Sequence, residues 1–287
     1  MKVGAIFPQT EIGTDLGEIR AFVQAVEEQG YDSIFIADHV LGADPQFHQH
    51  PSLARYSYKS VVHEPLTLMA YMAAITTKIS LSTGILILPQ RQTALVAKQA
   101  AEIDVLSGGR MRLGIGVGWN EVEYEALGED FHNRGSRCTE QIEVMRALWT
   151  QDVVTFEGKY HTLNHVAIEP RPSRPIPIWI GGMSETAMKR AIRLGDGWFP
   201  QFRPEAPDPQ GTIDRFFSLL RESGRNPDDF GVQTTFPFSG DPDDWRAHVE
   251  RAASWGANHL SVNTMGIGLG GPREHIAKIE EIRRAIE

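Results

Sequence analysis

A histidine and a carboxylate stand directly after apolar stretches of this 287-residue sequence, where they are placed to exchange protons. His39 closes the motif Ala37-Asp38-His39, and histidine is the side chain that gains or loses a proton near neutral pH. Glu121 comes shortly after a glycine-rich stretch that ends in Gly118 and Trp119. We predict that His39 and Glu121 are catalytic. The structural alternatives are a histidine that only packs and a carboxylate that only complements a helix dipole.

A pair of glycines precedes one of the predicted helices, at 184–194. The free backbone N–H groups at the start of a helix bind phosphate without any lysine, and glycines let the phosphate approach closely. Gly181-Gly182 therefore predicts the site of a phosphorylated cofactor. The hydroxyl of Ser184 would either donate a hydrogen bond to this phosphate or, as the N-cap of the helix, accept one from a backbone N–H. The alternative interpretation is a tight turn and nothing more.

Apolar stretches and helical patterns alternate along the whole chain, which predicts an α/β protein with a parallel sheet. The predicted strands are 3–7, 33–37, 79–87, 111–117, 176–180, 197–200, 231–236 and 259–262. The predicted helices are 15–29, 65–76, 94–106, 134–149, 184–194, 213–223, 242–255 and 272–286. Eight such units favour a (β/α)₈ TIM barrel, because the turn after the first strand lacks the Gly-x-Gly-x-x-Gly pattern of an open doubly wound sheet. We treat residues 152–175 as an insertion with a β-hairpin that turns at Glu157-Gly158, within a single domain over 1–287.

Catalytic residues of such barrels lie where strands end and the following loops begin. At those positions we predict these cofactor-binding residues: Asp38, Gly84, Ile85, Gly118, Trp119, Gly181, Gly182, Met183, Ser184 and Trp198. Asp38 would orient the His39 ring or cap a turn. Gly84 interrupts a predicted strand, which indicates a bulge or the close approach of another group.

Charge and composition exclude several classes of function. The net charge is −9 without a cluster of lysines and arginines, which argues against nucleic-acid binding. No apolar run reaches about 18 residues, so we expect no membrane span, and the first residues do not resemble a signal peptide. With the single cysteine Cys138, these features predict a cytoplasmic protein. The histidines of the loop 41–63 lack metal-ligand spacing, so we expect no metal site.

Several short motifs, in this order and spacing, resemble the luciferase-like flavin and deazaflavin oxidoreductases over nearly the full length. They are Ala37-Asp38-His39, Thr83-Gly84-Ile85-Leu86, Ala97-Lys98-Gln99-Ala100, Leu106-Ser107-Gly108-Gly109-Arg110, Leu113-Gly114-Ile115-Gly116-Val117-Gly118-Trp119, Ile178-Trp179-Ile180-Gly181-Gly182 and Leu194-Gly195-Asp196-Gly197-Trp198. The similarity is strongest to the branch of probable coenzyme F420-dependent oxidoreductases.

The resemblance implies a role for each matching residue. His39 would handle the substrate proton, and Glu121 would lie over the deazaflavin ring. Gly181 and Gly182 would hold the phosphate. The bond Gly84-Ile85 would be a cis peptide that backs the ring. We find no counterparts for the basic residues that hold a sugar phosphate in related dehydrogenases.

Three functions follow from this resemblance. The first is hydride transfer between coenzyme F420 and a small-molecule substrate. The second is an FMN-dependent monooxygenase that uses reduced FMN from a separate reductase. The third, a non-catalytic flavin-binding subunit, is disfavoured because His39 and Glu121 are both present. The family resemblance also implies a homodimer.

Overall fold

The computed structural model describes residues 1–54, 56–202, 209–236 and 241–286. The strands in these ranges are β1 (Lys2–Ile6), β2 (Ser33–Ile36), β3 (Ser80–Thr83), β4 (Leu86–Ile87), β5 (Met111–Gly116), β6 (Val154–Glu157), β7 (Thr162–Val166), β8 (Ile178–Gly181), β9 (Gly197–Phe199), β10 (Gly231–Phe236) and β11 (His259–Val262). The α-helices in the same ranges are α1 (Leu16–Glu28), α2 (Pro65–Ile75), α3 (Thr93–Leu106), α4 (Glu121–Ala126), α5 (Arg134–Thr150), α6 (Glu185–Leu194), α7 (Pro209–Glu222), α8 (Pro242–Ser254) and α9 (Pro272–Ala285).

The parallel strands close into a barrel. β1 pairs with β2 on one side and with β11 on the other, and the ring continues through β10, β9, β8 and β5. It closes because β5 also pairs with β3 and with β4, which together occupy one position of the ring. Within the described ranges this gives eight barrel positions and no free sheet edge. The predicted (β/α)₈ barrel is confirmed.

The helices cover the barrel with their apolar faces. In α1 the side chain of Asp15 accepts the N–H of Glu18 and so starts the helix, and Phe22 and Val23 are buried against the core. Leu16, the first residue of the helix, is 59% exposed. None of the helices in the described ranges is long and apolar enough to cross a membrane.

The third predicted strand, 79–87, is not continuous. The peptide bond Gly84-Ile85 is cis, as the family resemblance implies, and it separates β3 from β4. The short helix α4 is a second difference from the sequence prediction, which has no helix there. Its six residues are too few to show a periodic apolar pattern.

The insertion forms the predicted hairpin. β6 and β7 pair antiparallel, and the turn lies at 158–161, just after the predicted position. Glu140 on α5 holds this turn. Its carboxylate accepts hydrogen bonds from the backbone N–H groups of Lys159 and Tyr160 and also pairs with Nδ1 of His161. The hairpin is therefore fastened to the outside of the barrel by a carboxylate on a barrel helix.

Candidate active site

A cavity of about 750 Å³ opens at the C-terminal ends of the barrel strands. Nine predicted site residues line it, namely Asp38, His39, Gly84, Ile85, Gly118, Trp119, Gly181, Gly182 and Met183. They come from four barrel positions that are distant in sequence, so the fold brings them together as predicted from their places after the strands. Glu121, Ser184 and Trp198 are not among the lining residues.

The imidazole of His39 is held by a carboxylate that the sequence did not single out. Its Nδ1 lies 2.9 Å from Oε2 of Glu123, whose side chain is completely buried at the start of α4. The other oxygen of Glu123 accepts the backbone N–H groups of Val40 and Leu41, at 2.7 and 3.0 Å. Glu123 thus fixes both the ring of His39 and the chain that follows it.

The hydrogen bonds keep Glu123 ionised. Burial raises the pKa of its carboxyl, but the hydrogen bond to His39 and those from Val40 and Leu41 outweigh burial and leave the pKa below its usual range. A carboxylate can only accept, so Nδ1 of His39 carries the proton. In the neutral form of the imidazole Nε2 then carries the lone pair, and this atom has no hydrogen-bond partner among the described residues.

Aromatic side chains enclose the remaining faces of His39. Tyr56, from the long loop before α2, stacks on the ring with centroids 3.8 Å apart and planes 16° apart. Trp119 meets the ring edge-on at 5.7 Å, and His50 from the same loop stacks on Trp119 at 4.4 Å. His39 also lines the cavity, with its Nδ1 already engaged by Glu123.

Asp38 is fully engaged in structural contacts. Its carboxylate accepts the N–H of Ile87 at 2.8 Å and two guanidinium N–H groups of Arg91, at 2.7 and 3.2 Å. Arg91 also pairs with Glu64, which caps the start of α2. Asp38 therefore joins the end of β2 to the segment that follows the cis bond, although it also borders the cavity.

Glycines make room for the side chain of Ile85. A methyl group added at Gly116 or Gly181 would lie 2.6 Å or 3.2 Å from Ile85 atoms, so larger residues in β5 and β8 would displace it. Gly84 itself packs against Phe35, where an added Cβ would lie 3.1 Å away. Both residues of the cis bond line the cavity.

The glycine pair lies directly before helix α6. Gly182 has φ +117°, a conformation that favours glycine, and an added Cβ would lie 2.9 Å from Cβ of Ala187. Ser184 is the N-cap, since its hydroxyl accepts the N–H of Ala187 at 3.3 Å. Trp198 is completely buried and donates its indole N–H to the carbonyl of Gly182, so it supports this turn from behind.

Glu121 lies on the other side of α4 from Glu123. Its side chain is 64% exposed and lines a neighbouring cavity of about 740 Å³, where its carboxylate lies 3.9 Å from Nε2 of His132. Asn120, Glu123 and Tyr124 are the buried positions of this segment. These positions are three and four residues apart, which is the spacing of one buried helix face. The spacing would have marked Glu123 as an inward-facing residue only if a helix had been predicted at this place.

Two solved structures resemble the fold over almost the whole chain. A monooxygenase from Streptomyces bottropensis has a TM-score of 0.81 at 19% identity, with 98% of this chain and 97% of that chain covered. An F420-dependent secondary alcohol dehydrogenase, solved with an F420-acetone adduct, has a TM-score of 0.78 at 22% identity and covers 100% and 99%. At these identities the likeness concerns the fold alone.

Relatives found by sequence have higher identity to this chain than the two structures do, but they match a smaller part of it. An uncharacterised protein of Mycobacterium tuberculosis is 36% identical over 197 residues, which are 67% of this chain and 68% of the relative. An F420-dependent glucose-6-phosphate dehydrogenase of Kineococcus radiotolerans is 32% identical over 185 residues, 63% of this chain and 51% of the relative. The match to the dehydrogenase leaves about half of that protein uncovered.

A family model matches nearly the whole chain. The model describes luciferase-like monooxygenases and matches residues 1–285, which include every residue of the barrel and of the cavity described above. The closed barrel, the cis bond at Gly84-Ile85 and the full-length match agree with the resemblance seen in the sequence motifs. The chain therefore belongs to the luciferase-like monooxygenase family.

Proposed function

We propose that this enzyme binds coenzyme F420 in the cavity at the C-terminal end of the barrel and transfers hydride between it and a small organic substrate. One observation carries the proposal: His39 lines the cavity and is fixed at Nδ1 by the buried Glu123, so Nε2 is the ring nitrogen without a protein partner among the described residues. A bound deazaflavin would supply a carbon that accepts or donates hydride, and it reacts little with oxygen.

The cavity fits a planar group with a phosphate tail. Gly84 and Ile85 form part of its wall, and Gly116, Gly118 and Gly181 line it where the side chains of Ile85 and Ile87 pack against them. The start of α6 offers backbone N–H groups at a positive helix end, which suits a phosphate. No lysine or arginine lines the cavity within the described ranges, so the backbone would carry most of this binding.

The protein's own part in the reaction is proton transfer at Nε2 of His39. When a hydroxyl substrate is oxidised, Nε2 accepts the hydroxyl proton, and in the reverse direction it returns the proton to the carbonyl oxygen. Glu123 stabilises the imidazolium that forms, as the carboxylate does in other carboxylate-histidine pairs. The apolar side chains Val117, Trp119 and Phe199 exclude water from the same space.

The lining also bears on the substrate. An anionic substrate such as a sugar phosphate needs cationic groups, and the described lining offers none beyond what His39 gains on protonation. A small uncharged alcohol or carbonyl compound fits the apolar wall. F420 as the cofactor is supported by two similar proteins that are described as F420-dependent. They are the glucose-6-phosphate dehydrogenase of Kineococcus radiotolerans and the secondary alcohol dehydrogenase of known structure.

A second candidate is an FMN-dependent monooxygenase that receives reduced FMN from a separate reductase. It is favoured by the monooxygenase from Streptomyces bottropensis, which shares the fold over nearly its whole length. In that case His39 and Glu123 would keep the same geometry but would act on an oxygenated substrate.

Cofactor titration separates the two candidates. Purified protein is titrated with F420 and with FMN, and binding is followed by fluorescence or calorimetry. We expect F420 to bind at least about tenfold more tightly than FMN, a difference of about 1.4 kcal/mol. FMN binding as tight as or tighter than F420 binding would contradict the F420 proposal and support the monooxygenase.

A further inference from the structure

A tyrosine ring lies flat on one face of the candidate catalytic histidine. The ring centroids of Tyr56 and His39 are 3.8 Å apart and their planes differ by 16°. This distance is shorter than the range of about 4.5–7 Å that aromatic pairs usually prefer. The other aromatic neighbours are placed differently, because Trp119 meets the imidazole edge-on and His50 stacks on Trp119. Tyr56 is therefore the ring whose face is turned to the imidazole.

The loop that carries Tyr56 is fastened beside the histidine. Where the loop begins, Glu123 accepts the backbone N–H of Leu41 at 3.0 Å. The next residue, Gly42, lies against the returning arm of the loop, where an added Cβ would come 2.3 Å from the carbonyl oxygen of Ser57. Tyr56 directly precedes that contact and is only 9% exposed. The carboxylate that holds the imidazole thus also holds the base of the loop that places the tyrosine on it.

The phenol of Tyr56 is neutral and presents the electron-rich face of its ring. Burial, and then the charges of Glu123 and Asp38, raise the pKa of Tyr56, so its hydroxyl keeps its proton at every pH at which a histidine titrates. The face of an aromatic ring carries a negative potential and attracts a cation that lies within about 6 Å of its centroid. The charge of Asp38 is already offset by Arg91. Among the described residues, Glu123 and the face of Tyr56 are therefore the neighbours that favour a positive charge on the imidazole.

We propose that Tyr56 is a positioning residue for proton transfer, because the face of its ring stabilises the imidazolium that forms when Nε2 of His39 accepts the substrate proton. Glu123 acts on this charge in the plane of the imidazole, and Tyr56 acts on it from one face. The inference rests on the proposed role of His39 in proton transfer, but it does not depend on which cofactor binds.

Two replacements separate the ring of Tyr56 from its hydroxyl. Tyr56→Phe keeps the ring face, whereas Tyr56→Leu keeps an apolar cover and removes the face. The protonation of the His39 ring is followed by NMR in the protein without cofactor or substrate, and its signals are those missing from His39→Ala. We expect the midpoint to fall by at least about 0.5 pH unit in Tyr56→Leu, because the imidazolium loses its partner ring. Tyr56→Phe should keep the midpoint of the unaltered protein.

The pH profile of the reaction gives a second measurement. In the direction of substrate oxidation, the acid limb of kcat/KM should move to lower pH by the same amount in Tyr56→Leu. Its kcat at high pH should also fall, by about threefold or more, because a weaker base accepts the proton less readily. Tyr58→Leu is the matched control, since Tyr58 lies in the same loop and is 52% exposed. It should change neither the midpoint nor kcat.

Two results would overturn the proposal. A midpoint that is unchanged or higher in Tyr56→Leu would show that the tyrosine only keeps water away, because added water favours the charged imidazole. An equal shift in Tyr56→Phe would assign the effect to the hydroxyl and not to the ring face. If Tyr56→Leu does not fold, Tyr56→Met makes the same comparison.

The NMR titration also separates this inference from the proposed function. A shifted midpoint in a protein that does not bind F420 would contradict the proposed cofactor and leave the role of Tyr56 intact. An unchanged midpoint in a protein that binds F420 would overturn the role of Tyr56 alone.

Discussion

At the residue level, the proposed site depends on a histidine whose orientation is set by several neighbours. Glu123 holds Nδ1 of His39, Tyr56 covers one face of the ring, and Trp119 meets its edge. Each contact removes freedom that the ring would otherwise have to lose when the substrate binds. A group that is already oriented loses less entropy in reaching the transition state.

Replacing His39 with alanine tests its role directly. We expect His39→Ala to lower kcat by about 10²–10⁴-fold, which is the range for the loss of a general acid or base. The cofactor Kd should change much less, since the cofactor would be held mainly by backbone groups of the barrel. Steady-state kinetics and a cofactor titration give the two values. Turnover within about threefold of the unaltered enzyme would exclude His39 as the proton-transfer residue.

Glu123 and Glu121 form a matched pair for a second test, because they lie two residues apart on α4 and differ in burial. In Glu123→Gln the amide can donate to Nδ1 of His39, which moves the ring proton to Nε2 and removes the base. We expect kcat to fall by about 10²-fold or more with little change in KM. Nitrogen NMR of the His39 ring should report the change of tautomer, which a purely structural role would not produce.

Glu121→Gln is the control for this test. Its side chain is exposed and outside the cavity lining, so we expect kcat within about twofold of the unaltered enzyme. The opposite result, a large loss in Glu121→Gln and none in Glu123→Gln, would favour the role for Glu121 that the family resemblance implies.

The sequence led to His39 but not to Glu123, and the reason is physical. His39 follows a strand, and the ends of parallel strands meet in one place whatever their separation along the chain. Glu123 lies 84 residues from His39 and comes within reach of it only through the path of the loop and of α4. Local sequence carries no information about that path, so the partner of the histidine required the structure.

At the level of elements, the start of α6 is the proposed phosphate site. Gly182→Val should weaken cofactor binding by about tenfold or more, since its φ of +117° disfavours a β-branched residue and the new side chain would lie against Ala187. The measurement is the cofactor Kd of the folded variant.

Gly224→Val controls for backbone strain alone. Gly224 has φ +79°, follows α7 away from the cavity lining, and has no atom within 4 Å of an added Cβ. Both variants should lose stability, but the control should retain the cofactor Kd. If both bind the cofactor as the unaltered protein does, the phosphate does not bind at this helix start.

Most elements were predictable, whereas the short helix α4 and the separate two-residue strand β4 were not. The helices over 15–29 and 134–149 were identified because their apolar spacing repeats over several turns. Helix α4 spans only 121–126, and β4 spans two residues after the cis bond. Their conformations follow from tertiary contacts such as the hydrogen bond from Ile87 to Asp38, which no local pattern records.

At the level of the whole molecule, the two ends of the barrel differ in charge. The cavity at the C-terminal end has no lysine or arginine in its described lining. The cavity at the other end is lined by charges of both signs, namely Lys2, Lys78, Arg110, Arg112 and Arg174 with Asp32, Asp196, Asp228 and Asp229. The alternation of strands and helices predicted the barrel, because a closed parallel sheet needs that order. The alternation did not predict that the side chain of Arg112 lies inside the barrel. A strand pattern indicates which face of the sheet a side chain occupies, but it does not indicate which side chains it contacts on that face.

His259 lies beside Arg112 at the N-terminal end and should make the protein sensitive to acid. Burial, then the charges of Arg112 and Lys2, lower the pKa of His259 to about 3. In the unfolded chain a histidine titrates near pH 6.5. Between pH 6.5 and pH 3 the unfolded state therefore binds the extra proton, so the contribution to stability is complete above pH 6.5 and is lost progressively as the pH falls.

Replacing this histidine with glutamine should remove that part of the acid sensitivity. We expect the free energy of unfolding of the unaltered protein to fall by about 1 kcal/mol per pH unit from this residue between pH 6 and pH 5. This is somewhat less than the roughly 1.36 kcal/mol per pH unit for a difference of one whole proton, because the unfolded histidine is not yet fully protonated at pH 6. His259→Gln should show a correspondingly shallower slope in urea unfolding measured across this range. His48→Gln, at an exposed loop position, should keep the slope of the unaltered protein. Part of the slope should persist in His259→Gln, because burial also lowers the pKa values of His248 and His275. Equal slopes in His259→Gln and the unaltered protein would show that His259 is protonated at the same pH in the folded and unfolded states, contrary to its position beside Arg112.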